Sequence, residues 1–284
     1  MSRNSNRQGA PEGPPAPLPQ AQAQQAQNLF SFPTPTEFVE LPSKGLFYGE
    51  GHPLQGVETV EIKHMTAKEE DILSSETLIK KGLVMNRLLK SVLVDTTIDP
   101  NSLLIGDKNA IVMAIRETGF GSLYGTNVTC PACGTLNEKE FSLEGKEIKH
   151  SNLLENVQLL ENGNFLLTST DYNPEITFEI RLLTGKDEQR ILKHVEGRKK
   201  LKLETGSVTE LLKNIIVSVN GITQPSALQE IIGQIPAALS RKIRKVYEEA
   251  MPNIELKADF TCDNCSHTER LEVPINVDFF WPKL

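Results

Sequence analysis

The sequence predicts an α+β protein with a helical N-terminal block, a β-rich middle, a helical insertion and a zinc-ribbon-like module of four cysteines. Apolar residues recur at intervals of three and four in the first half of the chain, which is typical of amphipathic helices. After about residue 126 short stretches alternate between apolar and polar residues, which is typical of half-buried strands. Two Cys-x-x-Cys pairs lie far apart in this second part, and together they predict a metal site.

Composition and charge limit the classes of protein to which the chain can belong. Its 284 residues carry 30 basic and 37 acidic side chains, a formal net charge of -7. A dedicated nucleic-acid-binding domain usually carries net positive charge, so this balance argues against one. No run approaches the roughly 18 to 20 apolar residues that cross a bilayer, and the N-terminus lacks the apolar core of a signal peptide. We therefore expect synthesis in a cytoplasm without export.

The first 36 residues predict a disordered arm rich in proline and glutamine. They contain seven prolines and six glutamines but only three charged side chains. With so few large apolar residues, burial cannot offset the entropy that ordering would cost. We expect the arm to become ordered only on assembly with neighbouring proteins.

An extended segment opens the ordered part of the chain, within a predicted N-terminal region of residues 37–125. Prolines and glycines punctuate residues 37–54, which predicts turns instead of a helix or a long strand. We expect the large apolar side chains of the segment to anchor it to the body of the protein. These side chains are Phe38, Leu41, Leu46, Phe47 and Tyr48.

A strand and a helical block complete the N-terminal region. Alternation over residues 57–65 predicts the strand. Thr66 and Glu69 match a capping box, in which a threonine hydroxyl and a glutamate carboxylate satisfy free amides at the start of a helix. Asp107 is a candidate cap for a later helix.

The rest of the chain, residues 126–284, predicts a zinc-knuckle module with an inserted α/β subdomain at about 145–255. The "ENGN" and "DYNP" stretches predict turns between strands, the first in a hairpin. Helices are expected over 187–202, where Thr184 or Asp187 is the candidate cap, and after Pro236. Two further capping boxes are expected, Ser207–Glu210 and Ser226–Gln229.

The four cysteines are the candidate metal ligands. They are Cys130, Cys133, Cys262 and Cys265. A two-residue spacer on a tight turn places two thiolates on one side of a Zn²⁺ ion, and two such turns complete a tetrahedral site. Gly134 suits a position after the second cysteine that needs positive φ, whereas Ser266 occupies the matching position of the second turn.

Three other interpretations of the cysteines stay open. Cys130-Pro-Ala-Cys133 alone is compatible with a thioredoxin-like redox pair, although no βαβ setting accompanies it and the second pair would be unexplained. The cysteines could also be unliganded, or His267 could replace one of them. A gap of 128 residues separates Cys133 from Cys262, far more than the usual ribbon spacing of about 15 to 20 residues.

No motif in the sequence indicates an enzyme. A closed site of four thiolates leaves no open position for a catalytic water and therefore holds structure. The glycines of Gly119–Gly125 have the wrong spacing for a dinucleotide-binding loop, so a turn is expected there. Six basic side chains in residues 190–204 are consistent with a contact to an acidic partner or nucleic acid, but also with a solvated helix face, which we favour.

Several stretches together resemble the T4-type bacteriophage baseplate protein family. The stretches are "FVELPSKGLFY", "VEIKHMTAKEEDIL", "LIKKGLVMNRLLKSVL", "FEIRLLTGKDE" and "VDFFWP". The resemblance runs from about residue 37 to the end of the chain. It implies a non-enzymatic protein of the baseplate hub of a contractile tail, located in the virion and, during assembly, in the host cytoplasm. It also implies that other baseplate and hub proteins are the partners and that Zn²⁺ is held by the four cysteines.

Two other functions remain as alternatives. The first is a chaperone that assembles the hub and is absent from the finished particle. The second, of another class, is a zinc-ribbon regulator that binds nucleic acid, which the net charge disfavours. The candidate interface residues are aromatic: the segment Phe38–Tyr48, and the C-terminal Phe279, Phe280 and Trp281. Packing of these aromatic side chains onto the protein's own core is the competing expectation.

Overall fold

A computed structural model of the protein describes residues 34–171, 174–200, 208–273 and 277–280. The chain divides into two units, Met1–Thr34 and Pro35–Leu284, and the elements below belong to the second. The predicted arm falls almost wholly outside the described residues, so its disorder stays a prediction. The proposed domain boundaries also stay predictions.

Helices and strands occupy largely separate stretches of the described chain. The helices are α1 (Ala67–Ser74), α2 (Glu76–Lys80), α3 (Val84–Val92), α4 (Ile105–Phe120), α5 (Gly185–Lys200), α6 (Val208–Ile215), α7 (Pro225–Gln234) and α8 (Ala237–Ala250). The strands are β1 (Thr36–Glu40), β2 (Thr59–Lys63), β3 (Leu123–Thr129), β4 (Leu136–Ser142), β5 (Lys146–Lys149), β6 (Val157–Leu159), β7 (Phe165–Ser169), β8 (Ile176–Ile180), β9 (Ile216–Val219), β10 (Asn253–Thr261) and β11 (Thr268–Glu272). Short 3-10 turns lie at Leu143–Gly145 and Val277–Phe280. Within these described stretches, every helix is too short or too polar to cross a membrane.

The α+β prediction is confirmed, and the strands of the described residues form four antiparallel sheets. Their orders are β1-β2, β3-β4, β11-β10-β5 and β6-β7-β8-β9. The helical block α1 to α4 precedes the strands that carry the cysteines. Helices α5 to α8 occupy the expected helical insertion between the two cysteine pairs.

The predicted extended segment begins with a short strand, β1, and continues in turns. β1 pairs with β2 with Val39 opposite Val60, and both of these side chains are buried. Alternation therefore places Phe38 on the outer face, where 72% of it is exposed. Of the other predicted anchors, Leu41, Phe47 and Tyr48 are buried, whereas Leu46 is 51% exposed.

The predicted capping box at the start of α1 is confirmed. The Glu69 carboxylate accepts hydrogen bonds from the backbone N–H of Thr66 at 3.0 Å and from its hydroxyl at 2.6 Å. It also accepts one from the Ser91 hydroxyl of α3. Glu69 therefore joins the first and third helices as well as capping the first.

Asp107 lies inside α4 instead of capping it. It is the third residue of the helix, whose N-cap is Leu104, and it is fully buried. Its carboxylate accepts hydrogen bonds from the Ser43 backbone N–H (2.9 Å), the Ser43 hydroxyl (2.6 Å) and the Tyr48 hydroxyl (2.8 Å). Burial raises the pKa of Asp107 despite these three donors. The residue fixes the extended segment to the helix.

The predicted hairpin at "ENGN" joins β6 to β7, and helix capping near residue 184 is also confirmed. Leu160 donates its N–H to the Asn164 carbonyl at 2.8 Å across the hairpin turn. At the start of α5, the Asp187 carboxylate accepts from the N–H and the hydroxyl of Thr184, both at 3.0 Å. The "DYNP" stretch contains Tyr172 and Asn173, which lie outside the described residues.

The predicted capping box Ser226–Gln229 is wrong, and the predicted capping box Ser207–Glu210 begins outside the described residues. Helix α7 begins at Pro225 with Gln224 as its N-cap, so Ser226 already lies within the first turn. Proline at the first helical position needs no amide partner, which moves the helix start upstream of the serine. Ser207 lies outside the described residues, as does part of the basic run that precedes it.

The C-terminal phenylalanines pack onto the core instead of being exposed. Phe279 is 2% and Phe280 is 3% exposed. The Arg116 side chain is also buried, and it donates hydrogen bonds to the carbonyls of Phe279 (2.7 Å), Gly121 (2.7 Å) and Leu123 (2.8 Å). The competing expectation is thus confirmed for both phenylalanines, whereas Trp281 lies outside the described residues.

Candidate metal centre

Two hairpins carry the four cysteines. The turn between β3 and β4 holds Cys130 and Cys133, and the turn between β10 and β11 holds Cys262 and Cys265. Each strand pair is antiparallel and in register up to the turn, where Thr129 lies opposite Leu136 in the first hairpin. Each turn therefore forms a tight loop that presents its two sulfurs on the same side.

The two turns share one hydrogen-bond pattern. Cys130 donates its N–H to the Thr135 carbonyl at 2.9 Å, and Gly134 donates its N–H to the Cys130 carbonyl at 2.9 Å. In the second turn, Cys262 donates to the His267 carbonyl at 2.9 Å, and Ser266 to the Cys262 carbonyl at 3.1 Å. The similarity predicted from the sequence is thus a similarity of backbone geometry.

Ser266 adopts the conformation that suits Gly134. The φ angles are 71° at Gly134 and 55° at Ser266, both in the left-handed region. A side chain there brings Cβ close to the following carbonyl oxygen, which costs roughly 1–2 kcal/mol for a residue other than glycine. The second turn therefore keeps the geometry of the first turn despite local backbone strain.

The four sulfurs lie close enough together for a tetrahedral thiolate site. Cys130 Sγ lies 3.7 Å from Cys265 Sγ, and Cys133 Sγ lies 3.6 Å from Cys262 Sγ. All four sulfurs lie within 4.8 Å of one another. Zinc–sulfur bonds of about 2.3 Å at tetrahedral angles place sulfurs about 3.8 Å apart. The cluster could therefore bind a metal ion with little rearrangement.

Exposure and acidity differ among the four thiols. Cys130 and Cys262 are buried, and Cys133 and Cys265 are exposed. Hydrogen bonds from the side chain and the backbone of Thr135 lower the pKa of Cys133 to about 5. A backbone hydrogen bond from Cys265 lowers the pKa of Cys262. The thiolate is the form of cysteine that binds a metal.

Asn137 joins the two turns, and sequence reasoning missed it. Its side chain is buried, with 3% exposed; its amide nitrogen donates to the Thr135 carbonyl at 2.8 Å. Its amide oxygen accepts from the backbone N–H of Asp263 at 2.8 Å. One side chain thus contacts the backbone of both turns. An asparagine on the same strand face as the apolar Phe141 is the sequence signal that could have indicated this burial.

Two further contacts cross between the turns. The Asn264 side-chain amide donates to the Thr135 hydroxyl at 3.1 Å, and Lys139 forms an ion pair with Asp263. His267 makes a different contact, with its Nε2 3.3 Å from Glu269 Oε2. Among the described residues, the candidate metal cluster contains the four cysteines and no histidine.

Strand pairing spans the long gap between the cysteine pairs. β5 follows β4 closely in the chain and pairs antiparallel with β10, with Ile148 opposite Ile254. β10 leads directly into Cys262. The chain therefore leaves the first hairpin through β5 and returns beside it through β10. This explains how a 128-residue separation in sequence is compatible with adjacent turns.

Comparison with known proteins identifies the family of the chain. A search of curated proteins and a search of solved structures each found no match. The family model described as "T4 bacteriophage base plate protein" matches residues 35–281, which is most of the chain. The resemblance noted in the sequence is thus confirmed at the level of the family. The chain belongs to the T4 bacteriophage base plate protein family.

Proposed function

We propose that this protein is a structural component of the hub region of a contractile phage tail baseplate and that Cys130, Cys133, Cys262 and Cys265 hold one Zn²⁺ ion. Family membership supports a phage baseplate protein that has a structural rather than a catalytic role and acts with other tail proteins in the virion. The observation that carries the zinc proposal is the convergence of four sulfurs from two distant hairpins.

The proposed ion would reinforce the contacts that already join the two hairpins through Asn137, Asn264 and the Lys139–Asp263 ion pair. It would link the β3–β4 turn to the β10–β11 turn across 128 residues of intervening sequence. Apparent binding free energies of structural zinc are roughly 10–16 kcal/mol, which is comparable with the whole stability of an ordinary domain of about 5–15 kcal/mol. The ion would thus act by stabilising the fold.

Metal removal tests this role. A strong chelator should lower the thermal midpoint and increase hydrogen exchange in both hairpins, and Cys262→Ser should do the same without chelator. Ser240→Ala is a matched control, because Ser240 is also buried but lies in α8, outside the two cysteine hairpins. Unchanged thermal stability after verified loss of metal would contradict the structural role.

The place of the protein in the particle requires a separate experiment. Quantitative mass spectrometry of purified phage particles should find the chain at a fixed ratio to known tail subunits. Its absence from intact particles, together with its presence on assembly intermediates, would instead support the assembly chaperone. Localisation to another part of the baseplate by cryo-electron microscopy would contradict the hub assignment.

A further inference from the structure

A groove of about 430 Å³ runs between the two cysteine-bearing hairpins. One wall is formed by β3 residues including Asn127 and Thr129, and the other by β11 residues including Arg270 and Glu272. Each of these strands is the outermost strand of its sheet, because the sheet orders are β3-β4 and β11-β10-β5. Two strand edges therefore face one groove.

The hydrogen bonds of the first hairpin show which backbone groups of β3 point into the groove. In an antiparallel pair, residues alternate between those bonded to the partner strand and those that point away. The bonds Cys130 N–H to Thr135 and Leu143 N–H to Ser122 lie at the two ends of the β3–β4 ladder. Asn127 and Thr129 lie an odd number of positions from Cys130, so their N–H and C=O groups point away from β4. The Leu123 carbonyl, which shares their parity, indeed points outward and accepts a hydrogen bond from Arg116.

The same argument applies to β11. Cys262 N–H bonds to the His267 carbonyl, and Val273 N–H bonds to the Leu256 carbonyl. Arg270 and Glu272 have the opposite parity, so their backbone groups point away from β10. Within the part of the chain that the structure describes, these two outward positions have no backbone hydrogen-bond partner. An edge of this kind can pair with an added strand.

The charge of the module decides what kind of strand can enter. The four strands and two turns of the hairpins, residues 123–142 and 253–272, carry seven acidic and three basic side chains. All three basic side chains already form ion pairs: Lys139 with Asp263, Lys257 with Glu255, and Arg270 with Glu147. Four thiolates around Zn²⁺ would add further negative charge, a point that rests on the proposed function. Pairing with a second copy of this acidic edge would place like charges together.

We propose that the groove binds a lysine- or arginine-rich extended segment of a partner protein, which adds as a strand to the outer edge of β11. Main-chain hydrogen bonds to Arg270 and Glu272 would supply the pairing, and exposed acids such as Glu269 would select basic side chains on the guest strand. The β3 edge forms the opposite wall, and the cysteine-bearing turn closes one end.

A synthetic peptide tests this surface on the full-length, zinc-loaded protein. The probe is a fluorescein-labelled octapeptide of alternating lysine and valine. Its binding to the protein is measured by fluorescence anisotropy. The control peptide has the same sequence with alternate backbone nitrogens methylated, which removes donors but keeps charge. We expect the control to bind about tenfold more weakly or worse, because it cannot donate the main-chain hydrogen bonds of an added strand. A glutamate–valine peptide should not bind.

Protein variants locate the binding edge. Arg270→Pro removes an outward N–H that makes no bond within the sheet, and it should abolish binding, whereas Arg270→Ala should retain it and so controls for the lost ion pair with Glu147. Bound peptide should also slow hydrogen exchange over residues 268–272.

Three results would overturn the proposal. The first is that the lysine–valine peptide does not bind even at millimolar concentration. The second is that the methylated and unmethylated peptides bind equally well. The third is that ultracentrifugation detects a dimer of the protein and that Arg270→Pro dissociates it. Zinc content measured on the same samples separates these outcomes from failure of the metal proposal. A sample with one zinc per chain and no peptide binding would contradict the groove alone.

Discussion

The side-chain oxygen of Asn137 accepts a hydrogen bond from the backbone N–H of Asp263, 126 residues further along the chain, at 2.8 Å. The same side chain donates to Thr135, two residues away. The position of one cysteine turn relative to the other therefore depends on an amide that does not touch the sulfurs.

Asn137→Ala should weaken zinc binding while leaving all four ligands in place. Loss of a group that orients ligands typically lowers metal affinity by about 10–100-fold. Competition with a zinc-binding dye measures the change. Asn127→Ala is a matched control on the neighbouring strand, because Asn127 is exposed. Equal affinities of the two variants would contradict a positioning role for Asn137.

Gly134→Ala in the first turn should lower the stability of the protein, whereas Ser266→Gly in the second turn should raise it. Gly134 has φ of 71° with no neighbour near its missing Cβ, so Gly134→Ala should cost about 1 kcal/mol through backbone strain alone. Ser266→Gly should relieve a comparable strain, partly offset by the entropy of glycine in the unfolded chain. Denaturant titration of the zinc-loaded protein measures both. Destabilisation by Ser266→Gly would show that the serine side chain stabilises the turn by more than its backbone strain costs.

Ser43→Ala should destabilise the protein by about 1–3 kcal/mol, because it removes a donor to the buried Asp107 carboxylate. The hydroxyl lies 2.6 Å from Asp107 and also accepts from the Gly45 N–H at 3.0 Å. Ser74→Ala is the matched control, since the Ser74 hydroxyl is exposed and bonds to carbonyls of its own helix. Urea titration compares the two variants. Equal free energies of unfolding would show that the Asp107 cluster contributes little to stability.

The ion pair between Asp187 and Arg181 should make stability depend on acid pH. Burial alone would raise the pKa of Asp187, but hydrogen bonds from Arg181 at 2.6 and 2.8 Å and from Thr184 outweigh it and lower the pKa to about 2. A carboxyl whose pKa is lower in the folded state stabilises the fold above its unfolded pKa, and this contribution is lost as the carboxylate is protonated. The wild-type protein should therefore lose stability between about pH 4 and pH 2.

Asp187→Asn should remove that part of the pH dependence and should be less stable than wild type at pH 7. Asp259→Asn, at an exposed strand position, controls for the general effect of removing one negative charge. Thermal unfolding at a series of pH values measures both variants. If the thermal midpoints of the wild type and Asp187→Asn fall in parallel below pH 4, the lowered pKa of Asp187 is contradicted.

Local patterns in the sequence predicted the parts of the protein that local interactions determine. The Thr66–Glu69 capping box, the "ENGN" hairpin and the two cysteine turns each depend on residues a few positions apart. Ser226 failed as a cap because Pro225, its immediate neighbour, is itself well suited to the first helical position. The competing signals were both local, and the stronger one determined the start of the helix.

The sequence could not predict contacts between distant residues. Asp107 was expected to cap a helix, and only the fold shows that Ser43, 64 positions earlier, supplies two of its donors. The Phe279 carbonyl likewise accepts a hydrogen bond from Arg116, which lies 163 residues away. The pairing of β5 with β10 belongs to the same class, and it accounts for a gap between the cysteine pairs that spacing rules alone do not explain.

X-ray absorption at the zinc edge of the purified full-length protein tests the central claim most directly. The account predicts one zinc per chain with four sulfur ligands at about 2.3 Å and no nitrogen or oxygen in the first coordination sphere. It also predicts that Cys133→Ser and Cys265→Ser each change this spectrum. A protein purified without zinc that binds none when zinc is added would contradict the claim, as would a site with a histidine or carboxylate ligand.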